Sequence, residues 1–507
     1  MSQTNGINGH SKGTVSEMSW KVGLLNCHTK YLTAESFGKL NITGSNLKKK
    51  QIWTIEHDTV NEGVIYLKSP QTTDDTYIFK DRHGNVTLKE KEDECKFVVE
   101  YGDGEYSGLW AFRNVKSNGL LGTDPEKKDE VKCFNEGKPT HLEYWTVQLS
   151  IHPQVNIQHD SRYVQLCNDE LQFSETIPWG APSLIVLEFH EGKYALKTSD
   201  DKYLNNDGTL SEECTDESKF TLEIHSGKER VRLAFKDCQQ RYLKTAGHSR
   251  TMKARNTAVT KDELFVIEDC HPQVVFISDA GKMISVKQGV DISANQMEES
   301  STETFQVQYL PQHSKWAIQT NGGKYWVMVN PGSGIQANSK EIKDVSLFDL
   351  QWQGDGTVGI VAQNGKYVSH KSTGALVATA DTLGEKERYK VKLTNRPNLI
   401  LRGPHGFVGI KPSFEYVCNK AKYSVILLEG NSDGTYYMKD SNGKYWSISE
   451  DCHIIADGDE PTPFIIEFHK QTFITIKGPN GGYLRGEQNG NFRVVGEELG
   501  PDTYWEF

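Results

Sequence analysis

The sequence predicts an all-β protein of four tandem, closely packed lobes, each a closed β architecture. Three observations lead there. A short turn phrase recurs: Asn321-Gly322-Gly323-Lys324-Tyr325-Trp326, Asn364-Gly365-Lys366-Tyr367-Val368, Asn442-Gly443-Lys444-Tyr445-Trp446 and Asn480-Gly481-Gly482-Tyr483-Leu484, with looser copies at Thr29-Lys30-Tyr31-Leu32, Asp201-Lys202-Tyr203-Leu204 and Gln240-Arg241-Tyr242-Leu243. An alternating apolar phrase, the period-2 mark of a half-buried strand, starts at Trp53, Phe97, Trp145, Ile185, Phe220, Phe265, Phe305, Phe348, Tyr389, Ile426, Phe464 and Trp505. Its spacing is about forty residues, which marks a repeated module. Lastly, Pro153, Pro272 and Pro397 fall where the first hairpin turn of a module is missing. Each removes an N–H and hinders that hairpin.

The three prolines divide twelve modules into four sets of three. Within a module Gly, Asn and Asp sit where hairpin turns need them, as at His190-Glu191-Gly192 and Asn431-Ser432-Asp433-Gly434. About four short strands per module and three modules per lobe give threefold pseudosymmetry without exposed edges, which is the β-trefoil. The lobes are expected at 20–150, 151–270, 271–394 and 395–507. Residues 1–19 are polar, lack an apolar stretch of signal-peptide type and are expected to form a disordered tail. The junctions hold no Gly/Ser-rich linker, so the lobes should pack on one another.

Composition narrows function. The 507 residues carry a net charge of −11, with 25% charged and 36% hydrophobic. A nucleic-acid binder needs a basic footprint, so general nucleic-acid binding is disfavoured. No apolar run reaches membrane-spanning length, and no membrane insertion is expected. The nine cysteines, an odd number without C-x-x-C pairs, read as reduced thiols of a cytoplasmic protein. His28, His57, His83, His141, His152 and His271 lack metal-ligand spacing, so neither metal nor cofactor is expected. Gly332-Ser333-Gly334 lies in a hairpin and not before a helix, against a phosphate cradle. No nucleophile–base pairing can be inferred, and no enzyme is expected.

The Tyr and Trp of the turn phrase are expected to pack in the core, since a feature present in every lobe does not mark one site. One stretch departs from the even mixing of charge. Ser36 to Ile55 has no acidic residue but carries Lys39, Lys48, Lys49 and Lys50. It is either a solvated loop or a contact to an acidic surface. Thr43 and Ser45 lie beside the lysines, where phosphorylation would add about −1.5 to −2 charge and weaken such a contact.

Lys30-Tyr31-Leu32-Thr33-Ala34-Glu35, Leu47-Lys48-Lys49-Lys50-Gln51-Ile52-Trp53-Thr54, His152-Pro153-Gln154-Val155-Asn156-Ile157, Ser293-Ala294-Asn295-Gln296, Lys439 to Trp446 and Trp505-Glu506-Phe507 resemble the fascins. The likeness runs from about Lys21 to Phe507 through all four lobes. It implies a monomeric cytoplasmic protein that cross-links actin filaments into tight parallel bundles in filopodia or bristle-like protrusions. It implies an actin site of Lys30, Lys48 and Lys50 in the first lobe with His405, Lys411 and Arg485 in the fourth, and the basic stretch adds Lys49 to the actin-binding candidates. Pro404 stands where that fourth-lobe motif usually has an acidic residue. Asn46 stands where vertebrate members have a regulatory serine, leaving Ser45 and Thr43 as the phosphorylation candidates. A second actin surface, on the second and third lobes, has Lys253 and Arg255 as its exposed basic candidates. The rival reading is a sugar-binding trefoil; Gln51-Ile52-Trp53 is the single Q-x-W-type match in twelve modules, which argues against it.

Overall fold

The computed structural model describes residues 20–70, 75–226, 231–286, 289–329, 332–470 and 472–507; the tail expected at 1–19 lies outside them. The described chain is strands and turns, with no α-helix among the described residues. It forms four antiparallel sheets. The first has twelve strands, from Trp20–Leu25 to Trp145–Leu149, and the second twelve, from Gln154–His159 to Val266–Asp269. The third has twelve, from Gln273–Ile277 to Arg388–Leu393, and the fourth thirteen, from Asn398–Leu399 to Trp505–Glu506. These are tandem β-trefoils. In the fourth, three hairpins meet pairwise through the bridges Glu415–Ile455, Val417–Asn491 and His453–Arg493, which is the threefold cap of that fold.

All twelve copies of the alternating phrase begin within one residue of a strand or bridge start. Eight are preceded by a one-turn 3-10 helix, such as Lys49–Gln51 before Trp53 and Pro501–Thr503 before Trp505. The ring that opens a phrase is locked by its polar head. Trp53 Nε1 donates to Leu32 O at 2.9 Å, Trp145 Nε1 to Leu121 O at 2.9 Å, Tyr389 OH to Val368 O at 3.2 Å and Trp505 Nε1 to Leu484 O at 3.0 Å. Trp53, Trp145 and Trp505 are fully buried. Truncating such a ring to alanine costs about 3–5 kcal/mol.

The turn phrase corrects the expectation for most of its tyrosines. The residue after each tyrosine is the core residue: Leu32, Leu204, Leu243, Trp326, Val368, Trp446 and Leu484 are all at 0% exposure. Tyr31 and Tyr242 are buried as expected, whereas Tyr203, Tyr325, Tyr367, Tyr445 and Tyr483 sit at the rim, half-buried. A β-bulge separates tyrosine and core residue, as at Tyr31/Leu32, Tyr242/Leu243, Tyr325/Trp326, Tyr367/Val368, Tyr445/Trp446 and Tyr483/Leu484. A bulge puts two neighbours on one side of the ladder and re-aims the ring. The hydroxyl then reaches the fourth residue of a strand phrase. Tyr31 donates to Gln148, Tyr77 to Glu56, Tyr203 to Glu188, Tyr242 to Glu223, Tyr325 to Gln308 and Tyr367 to Gln351, at 2.6–3.3 Å. Tyr77 lies outside the turn phrase, as does Tyr163, which does the same to Glu268 at 2.6 Å.

The described residues gather into two compact units. One holds Val274–Gln353 and Thr357–Val391, a trefoil by itself. The other holds 20–273, 354–356 and 392–507, and so the first, second and fourth lobes. Within this larger unit the first and second lobes meet at a polar-capped seam. Tyr101 OH donates to Ile224 O at 2.9 Å and accepts from Ile224 N–H at 2.7 Å, while Trp110 Nε1 donates to Leu222 O at 3.1 Å. Gly108 and Gly192, both at φ +93°, approach so closely that a β-carbon on either would lie 3.1 Å from the other's carbonyl oxygen. A cavity of about 120 Å³ beside the seam is lined by His57, Tyr101, Trp110 and His225. Drug-sized ligands occupy about 300–1,000 Å³, so this space suits a few waters.

The segments around two of the three prolines meet in a buried hub of the same unit, with the residues just before the third. Arg396 donates to Gln154 Oε1 at 3.0 Å and to Cys270 O at 2.8 Å. Gln154 Nε2 reaches Asn398 O at 2.5 Å, and His152 Nε2 lies 3.1 Å from Ile400 O. Asn395 Nδ2 donates to His271 O at 2.9 Å. Pro153 O and Pro397 O accept from Leu187 and Leu428 at 2.9 and 2.8 Å. The prolines thus mark junctions whose flanking polar side chains clamp the second lobe to the fourth.

Candidate functional site

The first-lobe lysines stand around the hairpin Tyr31–Ala34 / Leu40–Gly44 and the turn that follows it. That turn is set by Gln51. Its buried side chain accepts from Lys48 N–H at 3.2 Å and donates to Thr33 Oγ1 at 3.1 Å. Gln51 and Trp53 are therefore structural locks, and the single Q-x-W is spent inside the lobe. The consequence is outward presentation: Lys48, Lys49 and Lys50 are all exposed. Lys30 donates to Ser45 Oγ at 3.2 Å. Lys50 closes on Glu35 at 2.7 Å, and that hydrogen bond, with one from Asn41, holds the Glu35 carboxyl below its ordinary value. Lys30, Lys39, Lys48 and Lys49 carry no ion pair among the described residues. The acid-free stretch thus meets one acid lying just outside it. Thr43 and Ser45 are exposed, with Thr43 Oγ1 on Asn41 Oδ1 at 2.7 Å.

The fourth-lobe residues stand on the threefold cap, linked by shared acids. Asp502 faces both His405 Nε2, at 3.8 Å, and Arg485 Nη2, at 3.5 Å. Glu487, paired with Arg493 and held below its ordinary carboxylate value chiefly by it, also feels Arg485. Across the His453–Arg493 bridge, His453 Nδ1 lies 3.4 Å from Glu415 Oε1, and Glu415 Oε2 pairs with Lys411 at 3.0 Å. Lys411, Arg485 and Arg493 are thus each matched by a carboxylate. The acid beside His405 is Asp502, from the last 3-10 turn, Pro501–Thr503.

No hydrogen bond or ion pair among the described residues joins the first-lobe lysines to His405, Lys411 or Arg485. The second-lobe pair needs a correction. Arg255 is exposed, but Lys253 is only half-exposed: its aliphatic stem lies against Gly208, where a β-carbon would meet Lys253 Cβ at 3.2 Å. Strand pairing with Lys244 fixes it there. Among the described residues no group of three or more His, Cys, Asp and Glu could hold a metal ion.

Sequence reasoning missed Asp502, Glu415, Glu487 and His453. Glu35 was within reach, since it adjoins the acid-free stretch. Glu415 and Glu487 have partners, Lys411 and Arg493, within their own hairpins, whereas Asp502 and His453 carry no local signal because theirs come from other segments.

The chain resembles known proteins along its whole described length. The sequence model of the fascin domain matches residues 27–147, 154–267, 279–391, 327–424 and 404–507. The chain is 36% identical to fascin-2 of Bos taurus over 96% of its own length and 97% of that protein. It is 33% identical to fascin of Strongylocentrotus purpuratus, covering 97% and 99% of the two chains, and 24% identical to fascin-3 of Mus musculus, covering 100% of each.

Proposed function

The chain belongs to the fascin family, and from that premise we propose that it is an actin-filament cross-linker of the cytoplasm. It packs filaments into tight parallel bundles, in filopodia or bristle-like protrusions, through at least two separate surfaces, and acts without catalysis. The observation that carries this reading is the first-lobe turn. A buried Gln51 holds Lys48, Lys49 and Lys50 outward, and among the described residues only Lys50 is neutralised by an ion pair. An acidic filament is the complement of such a surface, and the protein's own charge of −11 confines the attraction to this patch.

His405, Lys411 and Arg485 supply the fourth-lobe part of the site, and Lys253 with Arg255 the basic groups of the second surface. A monomer that bridges filaments needs separate surfaces held at fixed geometry; the hub at Arg396 and the seam at Tyr101 supply that stiffness within the larger unit. Many weak contacts along parallel filaments then add up to a firm bundle. Phosphorylation of Ser45 would place a dianion on Lys30 and lower the patch's charge.

Co-sedimentation with filamentous actin tests this. Pelleting at high speed reads binding, and pelleting at low speed reads cross-linking; both are expected. Replacing Lys48, Lys49 and Lys50 with Glu should abolish most low-speed pelleting while leaving the β-rich circular dichroism intact. Undiminished bundling by that variant removes the patch from the mechanism.

A further inference from the structure

We propose that Phe37 and Phe414 are paired apolar anchors that seat the first and fourth lobes on filamentous actin; this rests on the reading just given. The two rings stand at corresponding hairpin tips. One tip lies between Tyr31–Ala34 and Leu40–Gly44 and closes through Glu35 N–H to Lys39 O at 2.7 Å. The other lies between Gly406–Ile410 and Tyr416–Lys420 and closes through Lys411 N–H to Glu415 O at 2.8 Å. Both tips are five-residue turns, and each follows the first bulge of its lobe.

Both phenylalanines adopt left-handed backbone, Phe37 at φ +63° and Phe414 at φ +62°. Bulky side chains rarely take that conformation; Gly, Asn and Asp suit it. The corresponding second-lobe turn obeys the rule, with Asn168 at +51° and Asp169 at +58°. The first and fourth lobes instead place a large apolar ring on a strained backbone and leave it in water. Phe37 is 100% exposed and Phe414 52%, so neither ring is there for the core. A single exposed apolar side chain is ordinary. The same ring at the same tip of two lobes, each time beside the candidate cations, is not.

Each tip carries the same three parts: a phenylalanine, a carboxylate and a lysine on that carboxylate. They are Phe37, Glu35 and Lys50 in the first lobe, and Phe414, Glu415 and Lys411 in the fourth. Exposed ion pairs contribute little net free energy and are screened by salt. Aromatic side chains that become buried dominate interface energetics and are indifferent to salt. The lysines thus steer the protein onto an acidic surface, and the rings fill apolar recesses there. The partner surface is one that offers an apolar recess rimmed by carboxylates.

The test is high-speed co-sedimentation of the full chain with Phe37→Ser, Phe414→Ser and the double variant, across a salt series. The double variant should lose affinity by about tenfold or more while keeping the wild-type slope of log affinity against log salt. The Lys48, Lys49 and Lys50 variant should instead flatten that slope. Phe37→Trp should restore binding, and thermal melts should be unchanged because the rings are exposed. If the wild type pellets and the double variant pellets equally well, the anchors are refuted and the actin reading stands. If the wild type fails to pellet, both fall. If the double variant loses only its binding to anionic phospholipid vesicles, the rings serve a lipid surface and the proposal is overturned.

Discussion

The guanidinium carbon of Arg396 lies 4.6 Å from the ring centroid of Phe507. The cation is buried, held by Gln154 Oε1 and Cys270 O on its edge and by the ring on its face. This contact ties the fourth lobe's first and last segments to the second lobe. Burial makes the charge costly, so Arg396 serves by filling and bonding the hub.

Arg396→Ala should therefore destabilise the protein by about 3–5 kcal/mol, because it leaves two buried acceptors unpaired and a void. Arg396→Met should cost less, since it fills the volume and removes a buried cation. Urea denaturation followed by tryptophan fluorescence measures both, and equal losses would refute this account of the hub.

Acid should weaken the fold before carboxylates are exhausted. Burial holds His271 and His469 down to about 4 and His152 well below the ordinary imidazole value, with Arg396 adding to the effect on His152 and His271. Their folded values lie below the unfolded value of about 6.5. The unfolded chain then binds more protons, so this stability is full above about 6.5 and is lost as pH falls toward 4. Asp269 opposes it. Burial, with Glu506 nearby, raises that carboxyl to about 6, so its contribution is present below about 3.9 and lost as pH rises through 6. Burial lowers His57 and raises Glu467 as well, so four imidazoles outweigh two carboxyls. Melting temperature should drop between about pH 6.5 and pH 4, and His271→Asn should flatten the drop.

The seam between the first two lobes depends on one hydroxyl. Tyr101→Phe strands both the N–H and the carbonyl of Ile224, at a cost of about 1–3 kcal/mol. Hydrogen exchange should accelerate in the strand Lys219–Ser226 and remain as before in the fourth lobe. Uniform acceleration would mean that the lobes do not open separately.

Glu35→Gln frees Lys50 from its partner. The pair is exposed, so stability should change by less than about 1 kcal/mol. Actin affinity should rise about two- to threefold at low salt, and the gain should vanish at high salt. A gain that persists in high salt would point to something other than charge.

Asp502→Asn releases His405 and Arg485 together. If these two act as cations toward the filament, high-speed pelleting should strengthen by about threefold at low salt, and Arg485→Glu should reverse it. Unchanged pelleting in both variants would exclude this end of the cap from binding.

The repeat was legible because trefoil modules rebuild one local solution. A large apolar residue, a ring at ten of the twelve phrase starts, must enter the core there, and a bulge follows six of the seven phrase tyrosines, so both leave a mark at fixed spacing. The role of that tyrosine was not legible. Its ring and the residue after it look alike in a pattern of apolar letters, and only the bulge decides that Leu32, not Tyr31, lies at zero exposure.

The sequence alone determined the strand starts and the acid-free lysine stretch, since each is written in residues close in the chain; closing each sheet takes pairs as distant as Val22 with Leu149 and Val155 with Asp269. Tertiary structure alone decided which charges are free. Among the described residues Lys48 and Lys49 carry no ion pair while Lys50 is held by Glu35, and His405 and Arg485 converge on Asp502. A hydrogen bond or ion pair acts only within a few ångströms. Closing three hairpins around one axis brings groups that near from segments with no shared sequence pattern. The hub at Arg396 has the same origin: its partners Gln154, Cys270 and Phe507 become neighbours only when the second and fourth lobes dock.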